Sequence, residues 1–137
     1  MEYDIEEITK KAKDCLNCKN KSCSKNCPLG NDIPAFIDHI KNEEYEKAYM
    51  TLLDTTILSS ICGRICPHTK QCEGNCIKGI KGNHVNIGRL EAYIGDKYIE
   101  QIKEYIPIPA ENGKRVAIVG GGPCGITCGV FLRKLRI

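Results

Sequence analysis

Eight of the ten cysteines fall in two short blocks. Cys15, Cys18, Cys23 and Cys27 are spaced C-x2-C-x4-C-x3-C and followed by Pro28. Cys62, Cys66, Cys72 and Cys76 are spaced C-x3-C-x5-C-x3-C, with Pro67 after the second. Thiols this dense need a partner, either one another as disulfides or a metal. The opening segment MEYDIEEITKK is charged and lacks the apolar stretch of a signal peptide. No run approaches the roughly 18 apolar residues of a membrane helix. The chain therefore reads as a cytoplasmic protein with no membrane association, where thiols stay reduced and metal is favoured. A disulfide scaffold would require a secreted protein already freed of its signal.

Two kinds of metal centre fit. Structural zinc takes four N or S ligands as two hooks with a spacer between them. The first block is awkward for zinc, because its four thiols lie within one short stretch. A run of early cysteines ending in C-x3-C-P follows ferredoxin logic instead. There the early cysteines hold one 4Fe–4S cluster and the last, before proline, reaches to a second. On that spacing Cys15, Cys18 and Cys23 share one cluster with a fourth ligand from the second block. Cys27 joins the other cluster with members of that block. The pattern C-x3-C-P occurs at Cys23–Pro28 and again at Cys62–Pro67, a weak internal repeat.

Composition excludes other classes. The formal charge is +3, from 20 Lys+Arg against 17 Asp+Glu, without the concentrated basic face of a nucleic-acid binder. Trp is absent and Phe occurs twice, so there is no aromatic platform for bases. Lys19, Lys21 and Lys25 interleave with the first cysteine block; they either face water or offset the negative charge of a thiolate-ligated centre.

The elements that position these residues read as mainly α. Ile5, Ile8 and Ala12 mark a helix over 2–14. The first cysteine block is rich in Asn, Pro and Gly and reads as loop. Asp32 is a plausible N-cap with Pro34 in the first turn, opening a helix to about Asn42. Tyr45, Ala48, Tyr49, Leu52 and Leu53 mark the next helix, and 55–61 link it to the second block. Ile87, Leu90, Ile94, Tyr98 and Ile102 form an amphipathic helix, which ends before Pro107 and Pro109. Glu91 lies near its apolar stripe, where a carboxylate is costly unless paired or metal-bound, or else snorkels to water. Cys62 reads as a small buried hydrophobe. His68 reads as a polar loop residue, and His39 and His84 as structural or surface histidines.

A boundary falls near 110, separating a helical domain, 1–110, from 111–137. In the second part 114–119 reads as a short buried strand. Gly120, Gly122 and Gly125 follow as G-x-G-x-x-G and open a helix. In that context the glycines are a dinucleotide fingerprint, with backbone amides cradling a pyrophosphate. Cys124 and Cys128 read as small packing residues of that helix; a reactive thiol at Cys124 has no supporting charge partner. The acidic residue expected about 20 positions further on, which holds the ribose, has no counterpart. So 111–137 reads as a truncated first β-α unit that does not hold FAD alone, and that is disordered, docked as a stray helix or completed by another chain.

The stretches CLNCKNKSCSKNCPLGNDIPAFI, CGRICPHTKQCEGNC and VNIGRLEAYIGDK resemble the N-terminal iron–sulfur domain of the glutamate synthase small (beta) subunit. Dihydropyrimidine dehydrogenase and the large subunits of NADH-dependent ferredoxin:NADP oxidoreductases are similar. The tail RVAIVGGGPCGITCGVFLRKL resembles the start of that family's FAD-binding domain. The resemblance implies one 4Fe–4S cluster on Cys15, Cys18, Cys23 and Cys76. It implies a second on Cys27, Cys66, Cys72 and a non-cysteine ligand, a glutamine in dihydropyrimidine dehydrogenase and Glu91 at the matching position here. Cys62 matches a family cysteine that is not a ligand.

The resemblance further implies an electron-transfer module with no catalytic residue of its own. In the full-length family NAD(P)H reduces FAD, and electrons pass through two clusters to a large (alpha) subunit or another redox partner. The competing reading is a zinc-stabilised interaction domain without redox chemistry.

Overall fold

The computed structural model describes residues 3–101, 110 and 112–135. The chain divides into two compact units, Met1–Ile99 and Glu100–Ile137, each described by itself.

The first unit is helical throughout. Its elements are α1 (Ile5–Lys13), α2 (Ser22–Lys25), α3 (Ile33–Lys41), α4 (Tyr45–Leu53), α5 (Ser59–Ile65) and α6 (Ile87–Tyr98). Short 3-10 turns at His68–Lys70, Ile77–Ile80 and Ile99–Gln101 punctuate the rest. Three helices, α1, α3 and α6, start where a side chain satisfies an orphan amide. Asp4 accepts from Glu6 N at 2.9 Å, Asp32 from Ala35 N at 3.3 Å, and Asn86 from Arg89 N at 3.3 Å. Pro34 sits in the first turn of α3, where its missing N–H costs nothing.

The apolar stripes meet in one core. Ile8 and Ala12 of α1 and Phe36, Ile37 and Ile40 of α3 are fully buried. Tyr49 and Leu52 of α4 and Ile87, Leu90 and Ile94 of α6 complete it.

α5 follows another rule. Ser59 is its one buried residue among those described, yet it packs closely on α6. A Cβ at Gly63 would overlap Ala92 N and Gly88 O, and one at Gly95 would overlap Ser60 N and Ser59 Oγ. The two helices therefore touch backbone to backbone. At the far end Arg64 Nη1 and Nη2 grip Asp96 Oδ1 and Oδ2 at 2.8 and 2.5 Å, a bidentate pair. Ser60 Oγ and Tyr3 OH donate to the same carboxylate. Hydrogen bonds from Arg64, Ser60 and Tyr3 hold the Asp96 carboxyl down to about 2. The helix expected over 2–14 thus forms from Ile5, and part of the presumed 55–61 link is the start of α5. Ile102, Pro107, Pro109 and most of the expected linker at 106–113 lie outside the described residues.

In the second unit a helix, α7 (Pro123–Lys134), forms as expected after the glycine turn. Gly120 has φ +108°, open to glycine alone, and a Cβ at Gly125 would overlap the Gly120 carbonyl. The strand expected at 114–119 does not form. Val116, Ile118 and Val119 are exposed, and no second strand among the described residues takes up their backbone groups. Cys124 and Cys128, expected to pack, are exposed, because the described part of this unit offers no sheet to pack against.

Two outcomes follow. Gly95→Ala should force α5 off α6 and cost about 1–3 kcal/mol, read as a lowered melting temperature. Asp96→Asn should be less stable than wild type near neutral pH. Because the folded carboxyl lies below its ordinary 3.8, that deficit should shrink as the pH falls from there toward about 2, followed by far-UV circular dichroism.

Candidate metal centre

The two cysteine blocks interlock around two hollows in the first unit. Cys15, Cys18, Cys23 and Cys76 line the first, together with Ile33, Val85 and Ile87. Cys27, Cys62, Cys66, Cys72 and Glu91 line the second, with Asn31, His68 and Gln71. Each hollow thus draws thiols from both blocks.

The local backbone explains the first hollow. Asn17 and Lys21 adopt left-handed conformations, φ +49° and +44°, curling the loop between Cys15 and Cys23. α2 then carries Cys23, and Cys27 follows one turn later, so only three residues of chain separate donors to different hollows. Ser24 Oγ, between them, accepts from Ile33 N at 3.0 Å. Ile33 is the one residue that lines both hollows, and it is buried. Lys41 Nζ donates to Cys15 O at 2.7 Å. Lys78 lines the hollow and pairs with Asp14. Of the interleaved lysines, Lys21 pairs with Asp32 at 2.6 Å and Lys25 donates to Asn20 Oδ1.

The second hollow sits on the α5–α6 seam. α5 presents Cys62, its C-cap residue Cys66 follows one turn later, and α6 presents Glu91. Cys72 comes from the loop that follows, anchored by its neighbour: Glu73 Oε1 accepts from Gly88 N at 2.9 Å, at the start of α6. Glu73 Oε2 lies 3.6 Å from His84 Nδ1. The His68 ring lies on Gly88, where any Cβ would overlap it. His39 has a separate, structural role, 2.9 Å from Glu44 Oε2.

Glu91 is 6% exposed, so it does not snorkel to water. Asn31 Nδ2 donates to its Oε1 at 3.3 Å, and Asn31 in turn accepts from Thr55 Oγ1. Burial pushes the Glu91 carboxyl up to about 7, with Asn31 drawing it partly back. The thiols show the same strain. Burial, then the charge of Glu91, pushes Cys62 up to about 11; burial, with the charges of Glu73 and Glu91, pushes Cys72 up to about 12. Cys15, Cys23 and Cys66 are raised by burial as well.

Cys62, Cys72 and Glu91 are thus crowded where burial disfavours their charged forms, and among the described residues neither Lys nor Arg lines the second hollow. A cationic centre removes that conflict, because it takes the place of the thiol protons. Soft thiolates select iron–sulfur clusters or zinc. Zinc–sulfur bonds of 2.3 Å would bring thiols to about 3.8 Å from one another. Among the described residues no three His, Cys, Asp or Glu side chains converge as one ion requires. The thiols stand around a space, which suits a polynuclear cluster.

Sequence reasoning missed Asn31, Gln71 and Ile33 at these hollows, and took His68 for a loop residue and Cys62 for packing. Asn31 stands four residues after Cys27, in the loop before the α3 cap, the only signal that pointed to it. Gly120, Gly122 and Gly125 belong to the other unit and are remote in sequence from both hollows.

A family model described as dihydropyrimidine dehydrogenase domain II, 4Fe-4S cluster, matches residues 1–103. The chain is 35% identical over 121 residues to the glutamate synthase (NADPH) small chain of Escherichia coli (strain K12), covering 88% of this chain and 26% of that protein. It is 35% identical over 134 residues to the glutamate synthase (NADPH) small chain of Azospirillum brasilense, covering 96% of this chain and 28% of that one. The chain therefore spans about a quarter of the length of these relatives.

Asn31→Ala should leave the Glu91 carboxylate without its amide donor. The expected cost is about 1–3 kcal/mol, read in thermal unfolding of the anaerobically purified protein.

Proposed function

The chain belongs to the dihydropyrimidine dehydrogenase domain II iron–sulfur family, and from that premise we propose that its two hollows hold two 4Fe–4S clusters on an electron path between a flavin and a partner protein. At the coarser level it is an iron–sulfur electron-transfer module of the oxidoreductase class. Among the described residues no helix is long and apolar enough to cross a membrane.

The division of the donors carries the finer reading. Cys15, Cys18, Cys23 and Cys76 would bind the first cluster; Cys27, Cys66, Cys72 and Glu91 the second. A bound cluster supplies one-electron redox chemistry with little rearrangement. The chain's own residues supply position and dielectric. Asn31 orients the Glu91 carboxylate toward the second hollow. Glu73 ties the Cys72 loop to the first turn of α6. Ile33 keeps the wall between the hollows apolar, and a low dielectric strengthens the electrostatic influence of one site on the other.

In the full-length protein Gly120, Gly122 and Gly125 would receive the pyrophosphate of FAD at the start of α7. NAD(P)H would reduce that flavin, and a large subunit of the glutamate synthase kind would take the electrons. The partner is read from relatives whose names are those of small chains.

Single alanine variants, purified anaerobically and assayed for iron and acid-labile sulfide, test the division. Cys76→Ala should lose the same centre as Cys15→Ala and Cys23→Ala, and Cys27→Ala the same centre as Cys66→Ala and Cys72→Ala. Electron paramagnetic resonance of the reduced protein identifies which centre remains. Loss by block, with Cys76→Ala resembling Cys72→Ala, would contradict the reading.

A further inference from the structure

The second hollow has more donors than a cubane has corners. Cys27, Cys62, Cys66, Cys72 and Glu91 all line it, and the function proposed above leaves Cys62 over. Yet Cys62 is not sealed into a packing role. It is half-buried, and it lies one turn before Cys66, the C-cap of α5, whose N–H bonds the Cys62 carbonyl. It lies near enough to Cys66, Thr56 and Glu91 to feel all three electrostatically, and it lines the same hollow as Cys66 and Glu91. The seam at Gly63 keeps side chains from separating α5 from α6 there.

We propose that Cys62 is a spare ligand of the second centre, whose Sγ takes the iron corner that the Glu91 carboxylate otherwise holds. This rests on the function proposed above. In the exchange the iron–oxygen bond to Glu91 breaks and an iron–sulfur bond to Cys62 forms. The Cys62 proton passes to the released carboxylate, so the net charge of the hollow is unchanged and no electron moves. A thiolate is the softer donor and suits iron–sulfur chemistry better than a carboxylate. The centre therefore has two ligation states and, since ligands set potential, two reduction potentials.

The test is Mössbauer spectroscopy of the whole chain, reconstituted anaerobically with isotopically enriched iron and sulfide. Wild type should show one iron site distinct from the others, the one bound through oxygen. Glu91→Ala should keep its full iron content while that distinct site disappears, because Cys62 has replaced the carboxylate. Glu91→Leu, which refills the buried volume, should behave the same way and guards against a loss caused by a collapsed core. Adding Cys62→Ala to either variant should restore a distinct site or drop one iron. If the Glu91 variants themselves lose one iron or keep a distinct site, Cys62 does not reach the cluster and the spare-ligand role is wrong. If wild type takes up no iron and sulfide at all, the proposed function falls with it.

Discussion

Gly63 and Gly95 let α5 lie against α6 with no side chains between them, and the second hollow lies along that contact. Only at this separation do Cys62 of α5 and its C-cap Cys66 share a space with Glu91 of α6. The contact buries little apolar surface from α5, so other forces hold it. The Arg64–Asp96 pair locks its outer end, and Glu73 bonds the start of α6 to the cysteine loop. Gly88 does double duty, giving its N–H to Glu73 and its bare Cα to the His68 ring.

The electrostatic state of the hollows follows from this packing. Thiols and a carboxylate are brought together out of water; burial raises Glu91, and burial with neighbouring charge raises Cys62 and Cys72. Left to themselves these donors oppose the fold. With a cationic centre they become its strongest internal bonds, which couples folding to cluster binding. The same logic explains Asn31. As a neutral donor it holds Glu91 in place without neutralising it, leaving the carboxylate basic enough to ligate.

Much of this was legible in the sequence where a periodic apolar stripe or a cap was at work. Helix α3 starts where Asp32 directs and α4 ends at Leu53, because burial and capping act locally. Helix α5 was not legible, since CGRIC shows no apolar period; it packs through Gly63 of its own and Gly95 of α6, a close approach rather than a stripe. The sequence left Glu91 between water and the interior, and only the tertiary contact with Asn31 decides it. Cys62 lines the second hollow, a placement that its sequence does not reveal, because a packing cysteine and one at the edge of a hollow have the same local pattern. The strand expected at 114–119 has the right residues, but a strand depends on a neighbour that its own sequence does not contain. Gly120 and Gly125, by contrast, form the turn their spacing dictates, because that conformation is local.

The most direct test of the account is the inorganic content of the anaerobically purified protein. Iron, zinc and acid-labile sulfide should be measured on the same sample. Iron and sulfide in equal amounts, filling both hollows, with zinc absent, is the result the interlocked thiols predict. Zinc bound stoichiometrically without labile sulfide would contradict it, and would make the two hollows structural metal sites in a domain with no part in electron transfer.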